Sequence, residues 1–361
     1  MTSLYRNVFW FAKGMKEYSR SGFRSACRTF NLPDLDVDCT GKVFMITGAT
    51  GTLGKVVAIQ LAQKGGTVHL VCRDEEKAEV LRKTITDITE NENTVVVHIV
   101  DMSRPQDVFS FAKKFKQDHE ILHVLVNCAS TITQNREIGD DGLEKTFATN
   151  TLGVHVLITN LIPLLNQTCE PRVVLVTCGS LLMQRLDPVD LQFECMFPFN
   201  GLAAFTQTKR HQAVLVEHYA ETYPGIHFSA MHPGWLEPQG VKDAVPKLLR
   251  KVSVRCRSVE EAADTILWLA ISQAALKHSS GMFFQVATSL RAEHSGGFAP
   301  RRLCPQEACL IATCVMLGTP GIPDRRTTCP HLPFGKTKTS LDDEKFFMRN
   351  LEDFVNKLGL S

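Results

Sequence analysis

The chain has no run of apolar residues approaching the ~20 needed to span a bilayer, and no signal-peptide pattern. Membrane-spanning and secreted architectures are therefore not expected. Its net charge is only +2, with no interleaving of basic and aromatic residues, so nothing draws it towards nucleic acid. Twelve cysteines are scattered without a CxxC pair, in a chain too long to need disulfide staples. They read as reduced thiols in an intracellular, reducing compartment. No metal centre is expected either: Cys304, Cys309, Cys314, Cys329 and His331 fit no compact zinc module.

What is present is enough for a substantial core: 44% hydrophobic and 22% charged residues over 361 positions, room for one large domain or two modest ones. The stretch Lys42 to Gly54 organises the rest. Val43 to Ile46 is a short apolar run, too brief for a helix, and Gly48 closes it. Gly51 and Gly54 follow, and then a helical pattern through Val56, Val57, Ile59 and Leu61. Strand, glycine-rich turn and helix together put unpaired backbone N–H groups and the positive helix end at one point, which suits a diphosphate. Spaced glycines alone also suit an ordinary strand-to-helix turn.

Residues 1–37 form a basic, aromatic arm. Arg6, Lys13, Lys16, Arg20, Arg24 and Arg28 face only Glu17, while Leu4, Tyr5, Val8, Phe9, Trp10 and Phe11 supply apolar bulk. Three readings stay open: a basic amphipathic helix on an anionic membrane, an organelle presequence, or an arm packed on its own domain. Cytoplasmic and membrane-associated locations both fit.

From residue 38 to 285 strands and helices alternate. Strands are expected at 43–46, 67–72, 94–100, 123–126, 172–177, 226–231 and 282–285, and helices at 75–89, 105–118, 141–166 and 203–222. This order specifies an α/β fold, a single Rossmann-type doubly wound parallel sheet with helices on both faces. Ligands in such sheets sit beyond the carboxyl ends of the strands, where Asp101, Asn127, Cys178 and His232 fall. Residues 286–339 lose the alternation and read as a loop or insertion. A closing helix is expected over 340–361, capped by Ser340, with a stripe of Phe346, Phe347, Leu351, Phe354, Val355 and Leu358.

Thr47-Gly-Ala-Thr-Gly-Thr-Leu-Gly54, Cys72-Arg-Asp74, Asp101, Asn127-Cys-Ala129, Asn150-Thr-Leu-Gly153, Lys209 and His232-Pro-Gly234 together resemble the short-chain dehydrogenases/reductases, nearest their retinol-dehydrogenase-like branch. The resemblance implies hydride transfer between a nicotinamide cofactor and a carbonyl or alcohol carbon. It implies cofactor contacts from Thr47, Gly48, Gly51, Thr52, Leu53, Gly54, Arg73, Asp101, Asn127, Lys209, Pro233 and Gly234. Cys72-Arg73-Asp74 favours NADP(H) over NAD(H), with Arg73 on the 2′-phosphate; Asp74 could instead accept from a ribose hydroxyl. A homodimer through the helices at 141–166 and 203–222 is also implied.

The family's catalytic set is Asn, Ser, Tyr and Lys, in which the Lys lowers the Tyr pKa and the Tyr passes the proton. Asn150 and Lys209 fit the Asn and Lys. The Ser position holds Cys178 and the Tyr position holds Phe205. Phenylalanine has no proton to give, and a thiol donates poorly. Thr208 and Tyr219 lie on the wrong face, or too far along the helix, to substitute. His232, Trp235 and Trp268 read as packing residues. Pro238 stands where a diphosphate-binding threonine is usual, and Ser130 ends the motif that is usually NNAG. The expected protein is an oxidoreductase by ancestry with impaired chemistry, set against two alternatives: an NADP(H)-binding scaffold or sensor, and a membrane-surface module. Phe193, Met196, Phe197 and Phe199, in the loop from Leu181 to Gly201, suggest a small lipophilic carbonyl or alcohol as substrate, and packing of that loop on its own domain accounts for them equally well.

Overall fold

Seven short, largely apolar runs form the strands of one parallel sheet: β1 (Val43–Thr47), β2 (Thr67–Cys72), β3 (Val95–Ile99), β4 (Val124–Asn127), β5 (Arg172–Val176), β6 (His227–Met231) and β7 (Met282–Phe284). The computed structural model describes residues 14, 17–28, 30–236, 256–285 and 339–360. The expectations placed on residues 1–13, Pro238, residues 286–338 and their cysteines lie outside the described residues. Strand order is β3-β2-β1-β4-β5-β6-β7, so the chain reverses direction across the sheet between β1 and β4. All six pairings are parallel, and register sets Thr47 opposite both Val71 and Asn127. The carboxyl ends of β1 and β4 thereby open the crevice in which such sheets bind ligands.

Helices cover both faces. On one, α2 (Thr52–Gln63), α3 (Glu75–Thr89) and α7 (Val259–Ile271) bury Val57, Leu61, Leu81, Ile85, Ile266 and Trp268 against Phe44, Ile46 and Leu70. On the other, α4 (Pro105–Asp118), α5 (Lys145–Leu165) and α6 (Gly201–Thr222) bury Val108, Phe115, Leu157, Leu161 and Val214 against Met45, Leu125 and Leu175. Full burial of each such side chain contributes about 1.5–3 kcal/mol. A short α1 (Arg20–Cys27) precedes the sheet, and α8 (Leu341–Leu358) closes the second face.

The strands expected from 43 to 100 and the helices at 75–89 and 105–118 fall within a residue of where they were placed, and α2 begins three residues before the Lys55 start of its pattern, but three further boundaries or elements differ. The helix expected from Asp141 begins at Lys145, because Gly139–Leu143 form a turn and the Glu144 carboxylate caps the helix by accepting from the Phe147 amide at 2.7 Å. Asn200 caps α6 in the same way, which moves its start to Gly201. Helix α7 was not expected, although Ser258 and Glu261 form a complete capping box at its start. α5 also meets the length and apolarity needed to cross a membrane, where the sequence showed no such run; 83% of its most apolar stretch is buried inside the protein, as in a core helix. The capping box of α8 does use Ser340, but its buried stripe is Phe347, Met348, Leu351 and Val355, and Phe346 is exposed.

β2 and β3 carry an acid-labile feature. His69 Nδ1 lies 2.9 Å from His98 Nε2, and Phe115 and His119 pack on the pair. Burial, with the neighbouring histidines, pushes His69 down to about 3 and His98 down to about 4. The unfolded chain takes up these protons near pH 6.5 and the folded one does not, so the stability they confer is full above pH 6.5 and drains away below it. Denaturant titrations should show a loss on the order of 2 kcal/mol between pH 6.5 and 5, allowing for partial solvent screening, and less in His69→Leu. Equal stability at both pH values would refute this.

Candidate active site

The turn after β1 is set by close approach. Gly48 has φ +64°, a conformation L side chains rarely adopt, and a Cβ there would lie 2.7 Å from the Ala129 Cα. Gly54 has no room either: a Cβ would meet the Gly48 carbonyl oxygen at 2.4 Å. Gly51 precedes α2 without a side-chain cap, and its amide donates to the Gly48 carbonyl at 2.9 Å. The first α2 amides, at Thr52, Leu53 and Gly54, precede the first helical acceptor bond, from the Lys55 amide to the Gly51 carbonyl. Thr47 Oγ1 donates to Asn127 Oδ1 at 2.7 Å and accepts from the Ala129 amide at 3.2 Å, tying β4 to β1 beneath the turn. Asn127 Nδ2 is buried with no hydrogen-bond partner among the described residues, a donor left over at the floor of the crevice.

Beyond β2, Arg73 is exposed, whereas the Asp74 carboxylate caps α3 by accepting from the Lys77 amide at 3.1 Å and also pairs with Lys77 Nζ. Asp101, past β3, accepts from the Ser103 amide and hydroxyl at 2.9 and 2.8 Å. The bare turn, the open helix end and the orphaned Asn127 amide fit a dinucleotide; beside them Arg73 is exposed while Asp74 is engaged by Lys77.

The other predicted residues meet at the ends of β4, β5 and β6. A π-helical turn, Ala148–Leu152, inside α5 presents Asn150. Its side chain is bound to the Thr131 amide (2.8 Å) and carbonyl (2.9 Å) and to Thr208 Oγ1 (3.0 Å). Lys209 is 2% exposed; Nζ donates to the Val176 carbonyl at 3.0 Å and to Gln212 Oε1 at 3.1 Å. Gln212 Nε2 in turn donates to the Asn150 carbonyl at 2.8 Å. The Lys209 ammonium lies 5.5 Å from the centroid of the Phe205 ring. Burial lowers its pKa to about 8. Burial pushes the Cys128 thiol up to about 12, so it stays protonated. Tyr219 is buried against His155, as its place along α6 requires.

Cys178 is not alone. Its Sγ lies 2.6 Å from Ser180 Oγ, which lies 3.1 Å from Thr206 Oγ1, next to Phe205. The sequence reading missed Ser180 and Gln212. Only their spacing, two beyond Cys178 and three beyond Lys209, pointed to them. In the loop from Leu181 to Gly201, Phe193 is 2% exposed and belongs to the core, Met196 and Phe199 pack on the core while partly exposed, as packing of the loop on its domain requires, and Phe197 is 97% exposed. Trp268 packs as expected, with its Nε1 donating to Asp34 Oδ2 at 3.1 Å. His232 is buried, but neither ring nitrogen has a hydrogen-bond partner among the described residues. It therefore packs without being satisfied, and burial holds it neutral, down to about 3.

A seven-stranded parallel sheet, a glycine turn feeding α2 and an Asn–Lys pair at the strand ends define a short-chain dehydrogenase/reductase scaffold, and residues 42–185 match the short chain dehydrogenase family model. The chain belongs to the short-chain dehydrogenase/reductase family. It is 49% identical over 283 residues to human dehydrogenase/reductase SDR family member 12, covering 78% of this chain and 88% of that protein. It is 40% identical over 354 residues to the Bos taurus protein of that name, covering 98% of this chain and 99% of that protein. Mouse retinol dehydrogenase 13 is 29% identical, covering 78% and 87%. Among solved structures, a Serratia marcescens short-chain dehydrogenase/reductase aligns with TM-score 0.55 at 18% identity, covering 73% and 100%. A Shigella flexneri short-chain dehydrogenase complexed with NADP aligns at 0.53 and 16%, covering 69% and 98%. Both show the same fold.

Proposed function

We propose that this chain is an NADP(H)-binding member of the family whose hydride transfer on a lipophilic carbonyl or alcohol is weak or lost. The carrying observation is the Phe205 ring set 5.5 Å from the Lys209 ammonium, in the place of a phenol. When bound, the nicotinamide would supply or accept the hydride. Gly48, Gly51, Thr52, Leu53 and Gly54 would hold the diphosphate, Asn127, Pro233 and Gly234 the nicotinamide half, and Arg73 and Asp101 the adenosine half. Lys209 is tied to the Val176 carbonyl and Gln212, and the Gln212 amide spans the gap to Asn150. That leaves no proton donor facing a substrate oxygen from the Tyr position. Partly exposed Met196 and Phe199, and the retinol dehydrogenases among the relatives, support a lipophilic ligand.

Fluorescence titration of purified protein with NADPH tests binding, and a carbonyl panel tests turnover; brisk native turnover would overturn the impairment. Arg73→Ala should weaken NADPH by roughly tenfold or more and leave NADH unchanged, because a guanidinium grips a phosphate by charge-assisted bonds. Equal losses for both cofactors would remove the NADP preference. α8 lies over α5 and α6, with Phe347 against His211 and Phe354 against Phe147. A homodimer through that face would therefore include α8.

A further inference from the structure

We propose that Arg257 is a positioning residue for the cofactor loop His232–Leu236, and that it holds this loop only while the arm residues Glu17–Arg28 are docked. Docking of the arm and binding of the dinucleotide then strengthen each other. The inference rests on the reading of Pro233 and Gly234 as part of the cofactor cleft.

Arg257 stands just before α7 and is 3% exposed. Its Nη1 donates to the Pro233 carbonyl at 3.1 Å, and its Nη2 donates to the Glu17 carbonyl at 2.8 Å. One guanidinium therefore bridges loop and arm. Its Cζ lies 5.2 Å from the Phe23 ring centroid. Gly234, at φ +86°, is pressed against it: a Cβ there would lie 2.4 Å from Arg257 Nε. The backbone repeats the link, since the Arg257 amide donates to the Trp235 carbonyl at 2.7 Å and the Trp235 amide donates to the Tyr18 carbonyl at 2.8 Å.

Tyr18 extends the contact to the neighbouring strand. It is 0% exposed, and its ring meets His232 edge-on at 4.6 Å and Trp235 at 6.0 Å. A Cβ on Gly179 would lie 3.2 Å from Tyr18 Cε2 and 3.0 Å from His232 Cδ2. The arm thus touches the loops that follow both β5 and β6. Arg20 and Arg24 pair with Glu261 at 3.1 and 3.3 Å, but these are exposed arginines that add little, and the grip comes from buried Tyr18 and Phe23.

The coupling follows from the cost of a buried cation. Arg257 Nε lacks a partner among the described residues, and losing the arm would leave Nη2 without its Glu17 acceptor. A guanidinium so stripped must turn towards water, and it would take Pro233 and Gly234 with it. Linkage makes the effect mutual: whatever factor docking adds to cofactor affinity, cofactor adds to docking.

NADPH titrations of the full chain, Tyr18→Ala, Arg257→Lys and Arg257→Ala test this. We expect Kd to weaken at least tenfold in Tyr18→Ala and Arg257→Ala, less in Arg257→Lys, and to recover in Arg257→Ala on adding guanidinium, which a merely structural loss would not do. Saturating NADPH should slow tryptic cleavage after Arg20 and Arg24 in the native chain by about the same factor. Should Arg257→Ala lose its circular dichroism spectrum, Tyr18→Ala, which removes no buried charge, decides the matter. Native-like affinity in Tyr18→Ala, or a cleavage rate indifferent to NADPH, overturns the coupling alone. A native chain that does not bind NADPH overturns the proposed function first.

Discussion

A Phe205→Tyr, Cys178→Ser double variant is expected to reduce lipophilic aldehydes with NADPH about 10⁴-fold faster than the native chain. Restoring a general acid typically returns about 10²–10⁴, and restoring an oxyanion donor about 10²–10³. Tyrosine at 205 would keep the native ring position over Lys209, whose ammonium lies 5.5 Å from that centroid. Lys209 titrates near 8 because it is buried, so at pH 7 it is charged and can lower the phenol's pKa. The gain should shrink as pH rises through about 8, when that charge is lost. Most of the gain should come from Phe205→Tyr, since Ser180 already puts a hydroxyl 2.6 Å from Cys178 Sγ and 3.1 Å from Thr206. Ser180→Ala in the Phe205→Tyr background should accordingly cost about tenfold or more. NADPH consumption on a panel of aldehydes reads all of these. A double variant no faster than the native chain would show that Phe205 is not the defect.

The fold was legible where local chemistry and tertiary packing agree. β2, α3 and α4 lie where the alternation placed them, because Asp74 caps α3 and Pro105 opens α4 within one turn of their own backbone. The Ser258-x-x-Glu261 box announced α7 just as plainly, but it follows an aperiodic stretch that hid it. The site was legible as a set of residue types and not as a set of bonds. Gly48 could be placed by its spacing and Asn127 by its place at a strand end, while Asn150, Phe205 and Lys209 were placed by the family resemblance. That Gln212 bridges Lys209 to the Asn150 backbone, that Thr208 holds Asn150, and that Arg257 reaches back 240 residues to Glu17 depends on how helices pack. Phe193 illustrates the reverse: its composition suggested a pocket wall, but it is 2% exposed and belongs to the core.

Gly54→Val is expected to lower NADPH affinity more than about 100-fold while far-UV circular dichroism still shows the sheet and helices. The valine Cβ would fall 2.4 Å from the Gly48 carbonyl oxygen and 2.8 Å from the Ala49 Cα. Both neighbours are backbone, so the turn itself must move, and a displaced turn no longer aims the α2 amides at one point. Relief is blocked below, because Gly48 sits against Ala129, which donates to Thr47 Oγ1 beside Asn127. Gly142→Ala separates this from general strain. Its φ of +78° is as unfavourable for a side chain, yet nothing lies within 4 Å of the added Cβ. It should cost about 1 kcal/mol of stability and leave NADPH binding as it was. Should the two variants lose affinity alike, fold stability rather than the turn would be setting affinity. Should Gly54→Val bind as the native chain does, the dinucleotide would have to lie elsewhere, and the roles proposed for Arg73, Lys209 and the Pro233–Gly234 loop would fall with it.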